Sequence, residues 1–396
     1  MANLKQALQI YDICSFLEGE HIRLGIGGFY PRRIKRTFIV NLVTVFAYII
    51  TIAQMAVVIN FVLSITDIVT ITEVLLFSMT QVGFVNKLVN FHRNSRKVAT
   101  LDELISQEIF TRVTVAEMDI MKTSFQRCQK VLNIFLLSCF GVTLLYGVVP
   151  AVNGIMTGTK MYPFPGKFPF NPDDYFVLIY GGEVATVAVS AWNNGAMDCL
   201  FTKHTVIATT LFRILRKKIK DLHYNTNEGE RPLENRIKHC VRYYNEIIKY
   251  VSAIENIFAY GILVQFMCSA IVICLTGFQL LVVASESGQS GLLVVYLFCM
   301  MFQLVLYCWY GHMLMEESNR ITEACYAINW HEMKIGQQKM LITIMERAKK
   351  PIALKALGIF RLNLSTLMTI LRSSYSYFAV LQQIYRNDKI MALVTN

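Results

Sequence analysis

Val131-Leu-Asn-Ile-Phe-Leu-Leu-Ser-Cys-Phe-Gly-Val-Thr-Leu-Leu-Tyr-Gly-Val-Val-Pro-Ala-Val152 contains no charged residue over 22 positions. At about 1.5 Å per residue such a helix is about 33 Å long, enough to cross the ~30 Å hydrocarbon core of a bilayer. Six further apolar stretches lie near 38–62, 68–90, 175–199, 257–283, 291–314 and 358–385. The fold class that follows is an all-α membrane protein of seven transmembrane helices.

The segments between these stretches fix the orientation. Lys and Arg number six before the first stretch, then none, seven, two, eleven, none and seven, with two after the last; only Lys87, Arg361 and Arg372 fall inside. The positive-inside rule places the N-terminus in the cytoplasm and the C-terminus outside. A seven-helix G-protein-coupled receptor has the reverse orientation, and staining an N-terminal tag on unpermeabilised cells separates the two. A secondary transporter is the other alternative, because Glu183 and Arg372 within spans could couple an ion. Such folds are built from repeats, and the two halves of this chain show none.

Composition agrees with a bundle in lipid. The chain has 396 residues, 54% hydrophobic, with a formal charge of +11, and a mean hydropathy of +0.43. The basic excess sits beside span ends, where it meets anionic lipid, so no nucleic-acid partner is expected. The N-terminus carries no cleavable leader pattern, and the first span is expected to act as the insertion signal. None of the ten cysteines falls in an outer connection, so no extracellular disulfide framework is expected. CxxC, HExxH, P-loop and GxSxG patterns are absent; no enzyme activity, metal or cofactor is implied. Gly25, Gly27 and Gly28 read as a turn, and Asn363, the one Asn-x-Ser/Thr site, lies too close to the last span to be glycosylated.

The connection after the third span runs Tyr162-Pro-Phe-Pro-Gly-Lys-Phe-Pro-Phe-Asn-Pro172 and holds half of the eight prolines. Proline at this density forbids helix and strand, while the interleaved aromatics need an apolar surface to cover. The segment reads as an outer lid, with Phe164 and Phe168 as its contacts. On the cytoplasmic side Ile237, Val241, Tyr244, Ile248, Val251 and Phe258 form one stripe of a long helix running into the fifth span. A second helix is expected over 334–350, ended by Pro351. The domain plan is a cytoplasmic segment 1–37, a six-helix region 38–314, cytoplasmic anchor helices 315–357, a seventh helix 358–385 and an outer tail 386–396.

That seventh stretch is the most polar, with Asn363, Ser365, Thr366, Thr369, Arg372, Ser373, Ser374, Ser376, Gln382 and Gln383. A helix of this kind faces protein or water rather than lipid. Arg372, costly at mid-membrane, must pair or reach water; a cytoplasmic vestibule is the simpler account than a pair with Glu183.

The tail from Lys349 to Gln383, with Ser373-Ser-Tyr-Ser-Tyr-Phe-Ala-Val-Leu-Gln-Gln383 inside it, resembles the C-terminal signature of insect odorant receptors. Ser376-Tyr377, five residues, then Gln383-Ile384 is similar to the Thr-Tyr, five apolar, Gln-Phe motif of the related gustatory receptors, with two conservative departures. Pro163-Phe-Pro-Gly166, and Glu316-Glu317-Ser318 with Trp330, also resemble this family.

The resemblance implies a tetrameric, odorant-gated, nonselective cation channel at the plasma membrane of olfactory sensory neurons, with a shared odorant co-receptor, a small volatile odorant, permeating cations and membrane lipid as partners. The co-receptor carries a long insertion after the fourth span; the corresponding connection here is short, so the chain resembles the ligand-tuning subunit. Carried over residue by residue, the family's pore positions fall on Val380 as gate and Gln383 beyond it, on one face of a helix. The family's ligand site lies between spans two, three, four and six in their outer halves. Its candidates here are Phe77, Tyr146, Val149, Tyr180, Val184 and Tyr296, a mostly apolar set suited to small volatile molecules.

Overall fold

The computed structural model describes residues 9–27, scattered positions between 45 and 61, and residues 68–394 apart from 165, 167–169, 223–229 and 283–289. The expected first span at 38–62, and Phe168 of the lid, therefore lie largely or wholly outside the described residues. A short helix α1 (Glu18–Ile26) precedes five long ones: α2 (Ile68–Ile105), α3 (Val115–Thr157), α4 (Phe176–Lys220), α5 (Glu230–Val282) and α6 (Ser290–Tyr326). All five are long and apolar enough to span a membrane. Then come α7 (Ile335–Ala348) and α8 (Leu364–Val394). α8 is not among the helices that meet the apolar threshold of a span, as its Ser, Thr and Arg content dictates.

Each long helix is longer than its apolar stretch because it continues below the membrane. α3 begins with a capping box, in which the Glu117 N–H donates to Thr114 Oγ1 and the Thr114 N–H donates to Glu117 Oε2 at 2.9 Å. These bonds satisfy backbone donors that the first turn leaves unpaired. The helix stops at Gly158, whose φ of 67° suits a residue without Cβ. α4 ends with Lys217, Lys218 and Lys220, cations placed where the helix dipole is negative.

α4 is the central pillar. From Gly195 to Phe212 every side chain position is buried, so the helix has no solvent face in this half. Its polar members there have partners: Thr202, Thr205, Thr209 and Thr210 hydroxyls donate to carbonyls one turn back, and His204 Nδ1 shares a 2.7 Å hydrogen bond with the Tyr250 hydroxyl. Lys203 donates to the Phe16 carbonyl at 2.7 Å and ion-pairs with Glu20 of α1, both charges fully enclosed. Gly27 lies against the Asn193 side chain so closely that a Cβ there would collide with it. Two-residue strands β1 (Gln9–Ile10) and β2 (Arg112–Val113) pair antiparallel and tie the N-terminal segment to the base of α3.

The cytoplasmic core gathers Phe110, Phe212, Tyr243, Tyr250, Leu341 and Ile344, all buried. The stripe read on α5 splits: Ile237, Tyr244, Val251 and Phe258 are buried, whereas Val241 and Ile248 line a cleft shared with Met340 of α7. The last helix starts later than the expected 358. Leu357 and Gly358 both take positive φ, 49° and 74°, and turn the chain so that β3 (Lys355–Ala356) pairs with β4 (Phe360–Arg361). Asn363 then caps α8 through its Oδ1, which accepts the Thr366 N–H at 2.8 Å. Gly311 of α6 lets this turn approach: a Cβ there would lie 2.5 Å from the Leu362 Cβ and carbonyl oxygen.

Candidate functional site

In the outer half of the bundle a cavity is walled by Phe77 and Leu76 from α2, Tyr146, Val149 and Pro150 from α3, and Leu292 and Leu293 from α6, with Tyr162, Pro163 and Phe164 across the top. About 80 Å³ of it is open to the centre of a water-sized molecule. One water needs about 10–15 Å³ by that measure, so the space holds several waters or one small compact organic molecule. Glu73 and Gln279 contribute the polar rim. Gln279 Nε2 donates to the Val69 carbonyl and to Thr72 Oγ1, both at 2.8 Å, and the lining combines aromatic and aliphatic surface with a nearly equal share of polar surface.

Phe164 closes this cavity. Its ring centre lies 3.7 Å from that of Phe77 and 5.1 Å from that of Tyr146, and only 5% of the residue is exposed. Its backbone N–H donates to Glu183 Oε2 of α4 at 3.3 Å. Glu183, considered from sequence as a partner for Arg372, instead holds the lid segment, and Arg372 is exposed on α8. Tyr296 stands behind Tyr146 in an edge-to-face contact, ring centres 6.1 Å apart. Its hydroxyl bonds Thr80 Oγ1, whose own proton goes to the Leu76 carbonyl at 3.0 Å.

The remaining candidates sit elsewhere. Tyr180 lies on the other side of α3, donating its hydroxyl to the Gly147 carbonyl at 2.6 Å, and Val184 packs on Gly147. The structure thus brings Phe77, Tyr146, Val149 and Phe164 around one space, with Tyr296 in the layer behind. α5, through Gln279, supplies a wall that the sequence reading had assigned to α4. Glu73, Leu76, Pro150 and Leu292 had no signal of their own, although Leu76 and Pro150 each adjoin a residue of the candidate set.

Beneath the cavity a polar network joins four helices. Lys87 Nζ of α2 donates to Asp198 Oδ1 at 2.7 Å and to Asn194 Oδ1 at 2.8 Å. Gln303 and Tyr307 of α6 also donate to Asp198, and Gln265 of α5 donates to Gln303 Oε1 and Ser269 Oγ, each at 2.9 Å. Lys87 and Asp198 are both buried, so each charge depends on the other and on these donors for its solvation. One residue beyond Ser269, the Ala270 carbonyl accepts the Ser374 hydroxyl of α8 at 3.0 Å.

α8 rests on α5 and α6 through one face only. Ser374 is buried, Phe378 lies against Gly277, and Tyr385 meets Phe278 edge to face at 5.6 Å. The opposite face carries Ser365, Thr369, Arg372, Ser376, Val380 and Gln383, all exposed, with Val380 at 57%. Steps of four, three, four, four and three residues keep them in one stripe along the helix. Within a polar row, Val380 is the apolar interruption.

Three comparisons bear on this arrangement. The fold is similar to that of the olfactory receptor OR5 from Machilis hrabei in complex with eugenol, with a TM-score of 0.85 over 94% of this chain and 98% of that one, at 16% identity; the same receptor in a second structure gives 0.82. Among sequences, odorant receptor 67c of Drosophila melanogaster is 24% identical over 306 residues, 74% of each chain. Odorant receptor 94a of the same species is 24% identical over 320 residues, 78% of this chain and 80% of that one. Residues 67–375 match the family profile described as 7tm Odorant receptor, and with the all-α membrane fold and its outer cavity already in view, the chain belongs to the insect odorant receptor family.

Proposed function

We propose that the chain is the odorant-binding subunit of an odorant-gated, nonselective cation channel, assembled as a heterotetramer with the shared odorant co-receptor in the plasma membrane of olfactory sensory neurons. The observation that supports this most directly is the aromatic cavity under Phe164, joined by side-chain and helix contacts to a last helix whose outward stripe has no partner within the described residues. A small volatile molecule fits the cavity by shape and dispersion. The stripe on α8 faces a shared axis, where Val380 contributes to an apolar constriction that excludes hydrated cations and Gln383 receives an ion that has passed it. Segment 1–37 is cytoplasmic, the extensions 315–357 with the lower half of α5 form the cytoplasmic anchor, and 386–396 is the outer tail.

The short connector from α4 to α5, residues 221–229, supports the ligand-tuning role, because the co-receptor carries a long insertion there. Patch-clamp recording during application of a volatile panel tests the proposal. Odorant-evoked cation current is expected when the chain is expressed with the co-receptor, and little without it. Robust odorant current from the chain alone overturns the subunit assignment, and no odorant current in either case overturns the receptor assignment.

A further inference from the structure

A second apolar hollow lies on the far side of α3 from the cavity. It runs between the outer ends of α3 and α4, bounded by Ala151, Ile155, Val177, Tyr180 and Gly181. About 570 Å³ of it is open to the centre of a water-sized molecule. Ile155 and Val177 are each 83% exposed, so in a bilayer the hollow faces the acyl chains of the outer leaflet. Its one cation, Lys160, is turned aside, donating to the Asp173 carbonyl at 2.8 Å.

The wall between this groove and the cavity is thin. Pro150 lines both spaces, and of two successive residues Met161 faces the groove and Tyr162 the cavity. The wall is also the weak point of α3. Pro150 has no N–H, so the Tyr146 carbonyl lacks its i+4 donor and the helix can bend there. From α4, the Tyr180 hydroxyl holds the next carbonyl, that of Gly147.

We infer that the groove is the access vestibule through which an apolar volatile passes laterally from the outer leaflet to the cavity, crossing at Pro150 and the Met161–Tyr162 turn. The inference rests on the odorant-binding role proposed above. An apolar volatile partitions into lipid, so the groove opens where such a molecule is concentrated, and the cavity side is covered by Phe164. A route differs from a binding site in one measurable way. An obstacle in a route raises the barrier in both directions equally, so onset and decay slow by the same factor while the equilibrium affinity stays fixed.

Gly181 gives the test. It lines the groove, and a Cβ built on it meets nothing within 4 Å, so Gly181→Trp fills the groove without entering the cavity. Gly182 also has nothing within 4 Å of a built Cβ but does not line the groove, and Gly182→Trp is the control. Val177→Trp provides a second obstruction at an exposed position should Gly181→Trp fail to reach the surface. Each is expressed with the co-receptor, and current is recorded during rapid application and washout of volatile aliphatic and aromatic alcohols, ketones and esters that activate the unaltered receptor. Gly181→Trp and Val177→Trp are expected to slow activation and deactivation together by about tenfold, with half-maximal concentration and maximal current unchanged and Gly182→Trp normal. Unchanged kinetics in both groove variants overturns the inference, as does a shifted half-maximal concentration without slowing, which would make the groove part of an equilibrium site for odorant or lipid. If no volatile in the panel activates the unaltered receptor, the odorant-binding role itself fails and the vestibule falls with it.

Discussion

Replacing Phe164 by Ala removes the side chain that closes the cavity and leaves its backbone bond to Glu183 in place. The phenyl ring is almost fully buried between Phe77 and Tyr146. Truncating a buried Phe to Ala costs about 3–5 kcal/mol. Two aromatic contacts account for about 0.5–1.5 kcal/mol each within that figure. The loss falls on the closed arrangement alone, because in an opened lid the Phe164 ring has already left its contacts with Phe77 and Tyr146. Apparent affinity falls with the fraction of receptors that are closed, so 3 kcal/mol corresponds to a rise in half-maximal odorant concentration of up to about a hundredfold. Phe164→Leu keeps most of the apolar volume and loses the ring contacts, about 1 kcal/mol or roughly fivefold. The assay is the concentration dependence of odorant-evoked current with the co-receptor, at matched surface expression, together with unitary conductance from excised patches. Conductance is expected to be unchanged, since Phe164 contacts α2, α3 and α4 and no residue of α8. A shift of less than about twofold in Phe164→Ala, or a changed unitary conductance, would falsify the lid.

Other consequences follow from the same contacts. Lys87→Met leaves Asp198 buried without its cation and is expected to cost about 3–5 kcal/mol of stability, measured as a lowered melting temperature of the detergent-solubilised protein; Lys87→Met combined with Asp198→Leu should recover most of it, and a single variant as stable as the parent argues against a desolvated pair. Val380→Ser should raise resting cation current or alter selectivity while Val380→Leu keeps the closed state dry, and Gln383→Ala should change relative cation permeability without shifting odorant sensitivity. If all three leave current, selectivity and conductance unchanged at normal assembly, also when paired with the counterpart change in the co-receptor, α8 does not line the pore. Gly311→Ala forces α6 away from Leu362 and is expected to cost about 1–3 kcal/mol, whereas Gly291→Ala, with nothing near its built Cβ, should be tolerated; equal melting temperatures would contradict the close approach.

The fold was legible wherever a long apolar run or a run of like charges decided it. The run at 131–152 sits inside α3, and the stripe from Ile237 to Phe258 does lie on one helix, because period and length are local properties. The start of α8 was misread, since apolar Leu357 and Ile359 extend the run although Leu357 and Gly358 turn the backbone. Of the candidate pocket, Phe77, Tyr146 and Val149 meet because outer-half positions on neighbouring helices face inward together. Tyr180 lies across α3 from Phe77 and Tyr146, as an aromatic at the right depth does not reveal the rotation of its helix. The roles of Glu183, Lys87 and Asp198 were illegible, because each depends on a residue far away in sequence that arrives only with tertiary packing.

The ion pair between Glu20 and Lys203 joins residues 183 positions apart, and this separation sets an order of events during biogenesis. At about 5–20 residues per second, roughly 10–40 s pass between the synthesis of the two. Throughout that interval the N-terminal segment can meet only its earlier-made partners, β2 through β1 and Asp102 of α2 through His21, and Glu20 remains hydrated on the cytoplasmic side. Once α4 emerges, Lys203 lies in a segment that cannot face lipid alone, and the waiting N-terminal helix neutralises it. The Glu20–Lys203 pair is thus a late-closing clasp on a segment already tethered at β2, and a bulky N-terminal fusion is expected to slow that closure at the ribosome.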